Sequence, residues 1–193
     1  MGSILKYIDL KFVFPARIKR LKNKLFPHVK GCKNVLDLGS SDGRLTKAIS
    51  EEVKDTKFIG VDVVVQPETF IPIEKYDGGR IPFKKNYFDC VMLIDVLHHD
   101  EEIDEVIKEA KRVSKKYILI KDHYWSNWFD FKILQMADYI GNKPFGVRLP
   151  YNFLRMEQWK KIFKSNKLKI LDEEKYRDGA FSLIKHVIFK LEV

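Results

Sequence analysis

In the stretch VLDLGSSDGRL, Val35 to Leu45, an apolar run ends in an acid, Asp37, and glycines follow at 39 and 43. A glycine-bearing turn after a strand lets ligand atoms come close to the backbone. The helix start behind it offers free N–H groups to acceptors. The dinucleotide fingerprint G-x-G-x-x-G fails, because Ser41 and Arg44 occupy its second and third glycine positions. That argues against a nicotinamide enzyme. An acid at the strand's end also disfavours a pyrophosphate, since like charges would face each other. Asp37 suits a ligand with a cationic group instead. Read alone, the stretch is also compatible with a tight turn that binds nothing.

Further along are other residues of the same kind. Asp62 closes an apolar run 19 residues after Gly43, followed by Val63. A carboxylate there can accept from both hydroxyls of a ribose. In YDGGRIPFKKNYFDCVMLIDVLHH, residues 76–99, Asp77 could accept from an adenine amino group while the Gly78 N–H donates to a ring nitrogen. As a bare dipeptide, Asp77-Gly78 reads as a turn. Asp95, His98 and His99 end that segment, and Asp122 and His123 end the next apolar run. Histidines at strand ends can serve as general bases or simply pack and hydrogen-bond. His99, with Asp100 after it, is the first candidate base, His123 its rival, and His98 comes behind both.

The elements that must hold these residues follow from periodicity. NVLDL (34–38), KFIGVDVV (57–64), YFDCVMLID (87–95) and KYILIKD (116–122) read as strands. DGRLTKAISEEV (42–53) and EEIDEVIKEAKRV (101–113) read as helices, the second with acids in its first turn, as the helix dipole prefers. Alternating strands and helices imply parallel βαβ units. LKILDEEKY and AFSLIKHVIFKLEV, joined across Arg177-Asp178-Gly179, add a hairpin signal and hence an antiparallel edge. Ahead of that hairpin, residues 121–159 are dense in aromatics, including Tyr124, Trp125, Trp128, Phe129, Phe131, Tyr139, Tyr151 and Phe153. Such density fits either a small-molecule pocket or the core of a helical lid.

Taken together, VLDLGSSDGRL, GVDV, the 76–99 segment and ILIKDH resemble class I S-adenosylmethionine-dependent methyltransferases, in particular the small type 11 branch. The pieces run in that family's order over residues 34–123, and a KDH…GN…PYNF…W segment extends the likeness to about residue 159. The resemblance implies a Rossmann-like three-layer α/β sandwich, with a seven-stranded sheet in the order 3-2-1-4-5-7-6 and strand 7 antiparallel. It implies S-adenosylmethionine as cofactor, whose amino and sulfonium groups are the cations an acid such as Asp37 suits. It places Asp37, Gly39, Ser40 and Gly43 at the methionine moiety, Asp62 and Val63 at the ribose, and Asp77 and Gly78 at the adenine. Asp95 falls beside the cofactor. Ser41 departs from the family's middle glycine, and small residues are usual there.

The 193 residues are 45% apolar and 33% charged, a soluble globular mixture. A single domain over 1–193 is expected, with residues 1–33 as a basic helical segment and 122–158 as an acceptor-side helical insertion. No run approaches the roughly 18 apolar residues of a membrane span. No leader is recognised, and Cys32 and Cys90 form no metal spacing, so a reduced, cytoplasmic setting and no metal are expected. Residues 1–34 hold nine Lys/Arg and one acid, nearly the whole net charge of +9. Helix 4–26, broken or begun at Pro15, has three readings: a solvated face covering the cofactor site, weak contact with an anionic membrane surface, or contact with RNA phosphates. No RNA-binding motif supports the last. The expected activity is methyl transfer to a small-molecule acceptor at oxygen or nitrogen, with the oligomeric state open. The alternatives are an RNA or protein methyltransferase and a non-catalytic nucleoside-binding domain of the same fold.

Overall fold

The computed structural model describes residues 14–143, 148–179 and 182–193. The seven strands are β1 (Asn34–Leu38), β2 (Lys57–Asp62), β3 (Ile73–Lys75), β4 (Phe88–Ile94), β5 (Ser114–His123), β6 (Lys169–Tyr176) and β7 (His186–Glu192). They form one sheet in the order β3-β2-β1-β4-β5-β7-β6. β7 is antiparallel to both β5 and β6, and the other pairs are parallel. This is the topology the resemblance implies. Among the described residues there are five α-helices: α1 (Phe14–Val29), α2 (Arg44–Ser50), α3 (Ile103–Val113), α4 (Trp128–Asn142) and α5 (Met156–Ser165).

Strand alternation sorts the core into two layers. Val35, Cys90, Met92, Leu119 and Ile188 meet Leu21, Leu25 and Val29 of α1 and Ile49 of α2 on one face. Leu36, Leu38, Val91, Leu93, Ile118, Ile120, Val187 and Phe189 meet α3 and α5 on the other, around Trp159 and Phe163. Both cysteines are buried and free. Among the described residues no helix is long and apolar enough to cross a membrane.

Several boundaries differ from the sequence reading. α2 begins at Arg44, because Gly43 has a φ of 80°, which no right-handed helix admits. β3, three residues flanked by Pro72, was not visible as a period. β5 runs on through Asp122 and His123, so both belong to a strand rather than to an insertion. The expected helix at 4–26 lies outside the described residues up to 13. Its described part starts at Phe14, takes Pro15 in its first turn, and continues past 26 to Val29.

Four of the five Lys/Arg side chains of α1 pair with acids of this chain. Lys22 pairs with Glu52, Lys24 with Glu174, Arg20 with Asp178, and Arg17 with Asp95. The last contact brings α1 to the carboxyl-end edge of the sheet.

Candidate active site

The turn after β1 is built mainly from backbone. The Gly39 N–H donates to the Val61 carbonyl at 2.8 Å, and the Gly43 N–H to the Ser40 carbonyl at 2.9 Å. Gly39 has a φ of 77°, and a Cβ there would stand 2.5 Å from Val96 Cγ2. A Cβ on Gly60 would collide with the Ser40 hydroxyl. Asp62 fastens the turn: its two carboxylate oxygens accept from the Ser41 N–H at 2.8 Å and the Val64 N–H at 3.0 Å. Gly78, with a φ of 89°, lies against Val63, where a Cβ would sit 3.5 Å from Cγ1. Asp77 accepts from the Gly79 N–H at 2.9 Å. Val63, half exposed, offers an apolar surface beside this turn.

Asp37 is almost wholly buried and accepts from the Thr46 hydroxyl of α2. Burial pushes its pKa up to about 6, with the charge of Asp62 adding to the rise. An acid held in that state gains from a nearby cation. Ser40 Oγ is buried and makes no hydrogen bond. These residues fit the cationic and polar end of S-adenosylmethionine: a buried acid, an unpartnered hydroxyl, and backbone kept bare of Cβ atoms.

The neighbouring part of the same edge is made of side chains. Four of the chain's five histidines meet here. The His98 ring lies 4.1 Å from that of His99 and 5.2 Å from that of His123, and His123 lies 4.8 Å from His186. β7 pairing sets His186 opposite both His123 of β5 and Tyr176 of β6, which it stacks upon. Asp95, in the left-handed region at φ 57°, closes β4 between Lys121 Nζ at 2.5 Å and Arg17 Nη2 at 2.5 Å. Burial disfavours its charge, but Lys121, His123 and Arg17 outweigh that and hold it well below the usual carboxylate range.

Each histidine has its own state. His98 Nδ1–H donates to Asp122 Oδ1 at 2.6 Å. Burial opposes the imidazolium, yet the Asp122 carboxylate raises the pKa overall. His99 Nδ1–H donates to the Arg148 carbonyl at 3.1 Å, which leaves Nε2 with a lone pair. Burial and then His98 lower its pKa, so it is neutral. His123 is lowered by burial and then by Lys121. Its Nδ1 makes no hydrogen bond, with Asp122 Oδ1 at 3.4 Å and Asp95 Oδ1 at 3.6 Å. His186 is driven far down by burial and then by Lys121.

The structure thus brings Asp37, Gly39, Ser40, Gly43, Asp62 and Val63 together around one turn, with Gly78 against Val63. Gly39 touches this turn to the β4 end through Val96, beside Asp95 and the histidines. Sequence reasoning did not assign Arg17, Lys121, Asp138, His186 or Tyr176. The last two are revealed by strand register, and Arg17 and Asp138 only by helix packing. The expected aromatic cluster divides. Phe153 is buried and stacks on His98, and Trp125 donates its N–H to the Phe153 carbonyl. Trp128, Phe129 and Tyr139 of α4 are exposed. Lys85, Lys108, Lys111, Arg112 and Lys115 line a depression near the start of β4, at the opposite end of that strand from Asp95.

The family described as Methyltransferase domain, type 11, matches residues 36–117. The Ubiquinone/menaquinone biosynthesis C-methyltransferase UbiE of Cupriavidus metallidurans is 24% identical over 146 residues, 66% of this chain and 60% of that protein. The chain therefore spans about 60% of the length of the first curated relatives it matches. The solved structure of PH0226 from Pyrococcus horikoshii has a TM-score of 0.70 at 19% identity, covering 93% of this chain and 90% of that one. A SAM-dependent methyltransferase from Aquifex aeolicus has a TM-score of 0.65 at 18% identity, covering 100% and 99%. The two structures establish the same fold.

Proposed function

We propose that this chain carries a class I S-adenosylmethionine-dependent methyltransferase domain of the type 11 branch and that it methylates a small-molecule acceptor at oxygen or nitrogen. The observation that carries this reading is the meeting, on one sheet edge, of the cation-suited turn at Asp37 with the histidines at 98, 99 and 123. S-adenosylmethionine supplies a methyl group already activated on a sulfonium. What the chain must add is alignment of the acceptor, a proximity effect, and a base where the acceptor holds its proton tightly, typically worth about 10²–10⁴-fold.

In this reading Asp37 and Ser40 hold the charged and polar end of the cofactor, Asp62 takes the ribose, and Asp77 and Gly78 take the adenine. Asp95 borders the cofactor with its charge stabilised by Lys121 and Arg17. His99 is the first base, because its neutral ring directs Nδ1–H at a carbonyl and keeps Nε2 for a proton. His123 is the second, with an unpartnered Nδ1. Action without nucleic acid fits the charge: Arg17, Arg20, Lys22 and Lys24 of α1 are paired within the chain, and the basic depression lies away from the histidine edge.

Carbon is the second reading for the methylated atom, favoured by the likeness to C-methyltransferases among the relatives. It needs the same base, since a carbon acid must also lose its proton.

Calorimetric binding of S-adenosylmethionine and S-adenosylhomocysteine to the wild type and to Asp62→Ala tests the cofactor assignment. We expect saturable binding to the wild type and a loss of roughly 1.5–3 kcal/mol in the variant, the size of one hydrogen bond to a charged group. Unchanged affinity would remove Asp62 from the ribose. No wild-type binding would favour a scaffold role for the turn.

A further inference from the structure

We infer that His98, His99 and Asp138 form a binding site for a divalent transition-metal ion on the acceptor side of the histidine edge. His98 and His99 lie on a short 3₁₀ turn after β4, and Asp138 comes down from α4. One ligand atom from each of the three lies within 4.8 Å of the others. His99 Nε2 is 3.9 Å from Asp138 Oδ1.

The atoms around these ligands point to an ion. A metal-binding histidine usually donates its other ring N–H to a carboxylate or carbonyl, which fixes the tautomer. Both histidines do so: His98 Nδ1–H to Asp122, and His99 Nδ1–H to the Arg148 carbonyl. His99 therefore keeps Nε2 for an ion, and an ion at His98 would take the place of the proton on its Nε2. Asp138 is 7% exposed. Its Oδ1 accepts from the Asn142 amide at 2.6 Å, while Oδ2 is buried with no hydrogen-bond partner. A buried carboxylate oxygen left bare is costly unless something positive meets it. Two imidazoles and one carboxylate suit zinc or iron(II) and leave coordination positions open.

A second grouping, His98, Asp122 and His123, is less suited. Its His98 Nδ1 and Asp122 Oδ1 are 2.6 Å apart and share a proton. Two ligands on a tetrahedral zinc stand roughly 3.3 Å apart. In that grouping Asp122 would be a ligand. In ours it supports one.

The site has a consequence for the reaction that rests on the methyl-transfer reading. An ion there would occupy Nε2 of His99, so that the base role given to His99 in the metal-free site passes to His123, and would offer an acceptor oxygen a Lewis acid. The binding itself does not depend on that reading, and its test involves neither cofactor nor acceptor.

The test is titration of the chelator-stripped full chain with Co²⁺ and Zn²⁺, read by calorimetry and by the visible absorption of bound cobalt. One equivalent should bind, and Asp138→Asn and His99→Gln should each weaken it at least tenfold. Asp138→Asn keeps the shape of the side chain, and His99→Gln alters a partly exposed one, so folding is preserved in at least one. His123→Gln should leave the affinity in place. No saturable binding, or equal affinity in both ligand variants, overturns the site. Loss confined to His123→Gln overturns it too, by moving the ion to the second grouping.

Discussion

The two halves of the sheet's carboxyl edge are built on opposite principles. The half from Asp37 to Gly78 is defined by backbone: left-handed glycines, N–H groups donated to nearby carbonyls, and one carboxylate, Asp62, fastening two amides. The half from Asp95 to His186 is defined by side chains delivered from α1, β4, β5, α4, β6 and β7. The first tolerates almost no added atoms. The second tolerates exchange of a group but depends on charges cancelling. A substitution that adds volume should therefore harm the first half most, and one that removes charge should register mainly in the second.

The largest departure is expected for Gly39→Val. Its Cβ would meet Val96 at 2.5 Å, on a residue whose φ is 77°. The left-handed backbone costs about 1–2 kcal/mol and the overpacking about 1–3 kcal/mol. Denaturant unfolding should show the loss, with cofactor binding abolished. A stable variant would mean that the turn is softer than its contacts indicate.

Asp37→Asn tests the one buried charge in the backbone-built half and should reverse the usual direction of a site mutation. The raised pKa of about 6 means that the folded chain holds this proton more tightly than the unfolded chain does. Its effect on stability is therefore most favourable at low pH. It declines as pH rises from the ordinary carboxylate range through about 6, and above that the cost of the buried charge is complete. Asn avoids the cost, so stability near pH 7 should increase by on the order of 3 kcal/mol. S-adenosylmethionine binding should fall at the same time. Melting temperatures across pH 4–8 check the first, and a variant that melts with the wild type throughout would refute it.

Arg17→Ala should do least. Its side chain is 40% exposed, and Asp95 keeps Lys121. An exposed pair contributes about 0–1 kcal/mol, and urea midpoints at low and high salt should converge. A larger, salt-insensitive loss would show that the side-chain half depends on α1 more than its exposure suggests.

The same contrast governs what the sequence made legible. The cofactor half could be read because its requirements are local: an acid closing a strand, then glycines at fixed offsets. The sheet order came with the family resemblance, and alternation of elements alone gave only its parallel part and an antiparallel edge. β3 escaped notice because three residues between proline-containing loops carry no period. Asp138 escaped because its role exists only once α4 folds over His99. His186 looked like an ordinary residue in an apolar run until antiparallel register placed it opposite His123.

β6 also has a history in synthesis. Among the described residues its only strand neighbour is β7, which leaves the ribosome after it and inserts between β5 and β6. Until residues 186–192 emerge, β6 has nothing to pair with, and a waiting strand is a template for other chains. The run Asp172-Glu173-Glu174-Lys175 is placed where such a strand needs protection. The acids that later bind Lys24 and Lys160 would first act as gatekeepers, keeping the unfinished sheet from recruiting its neighbours.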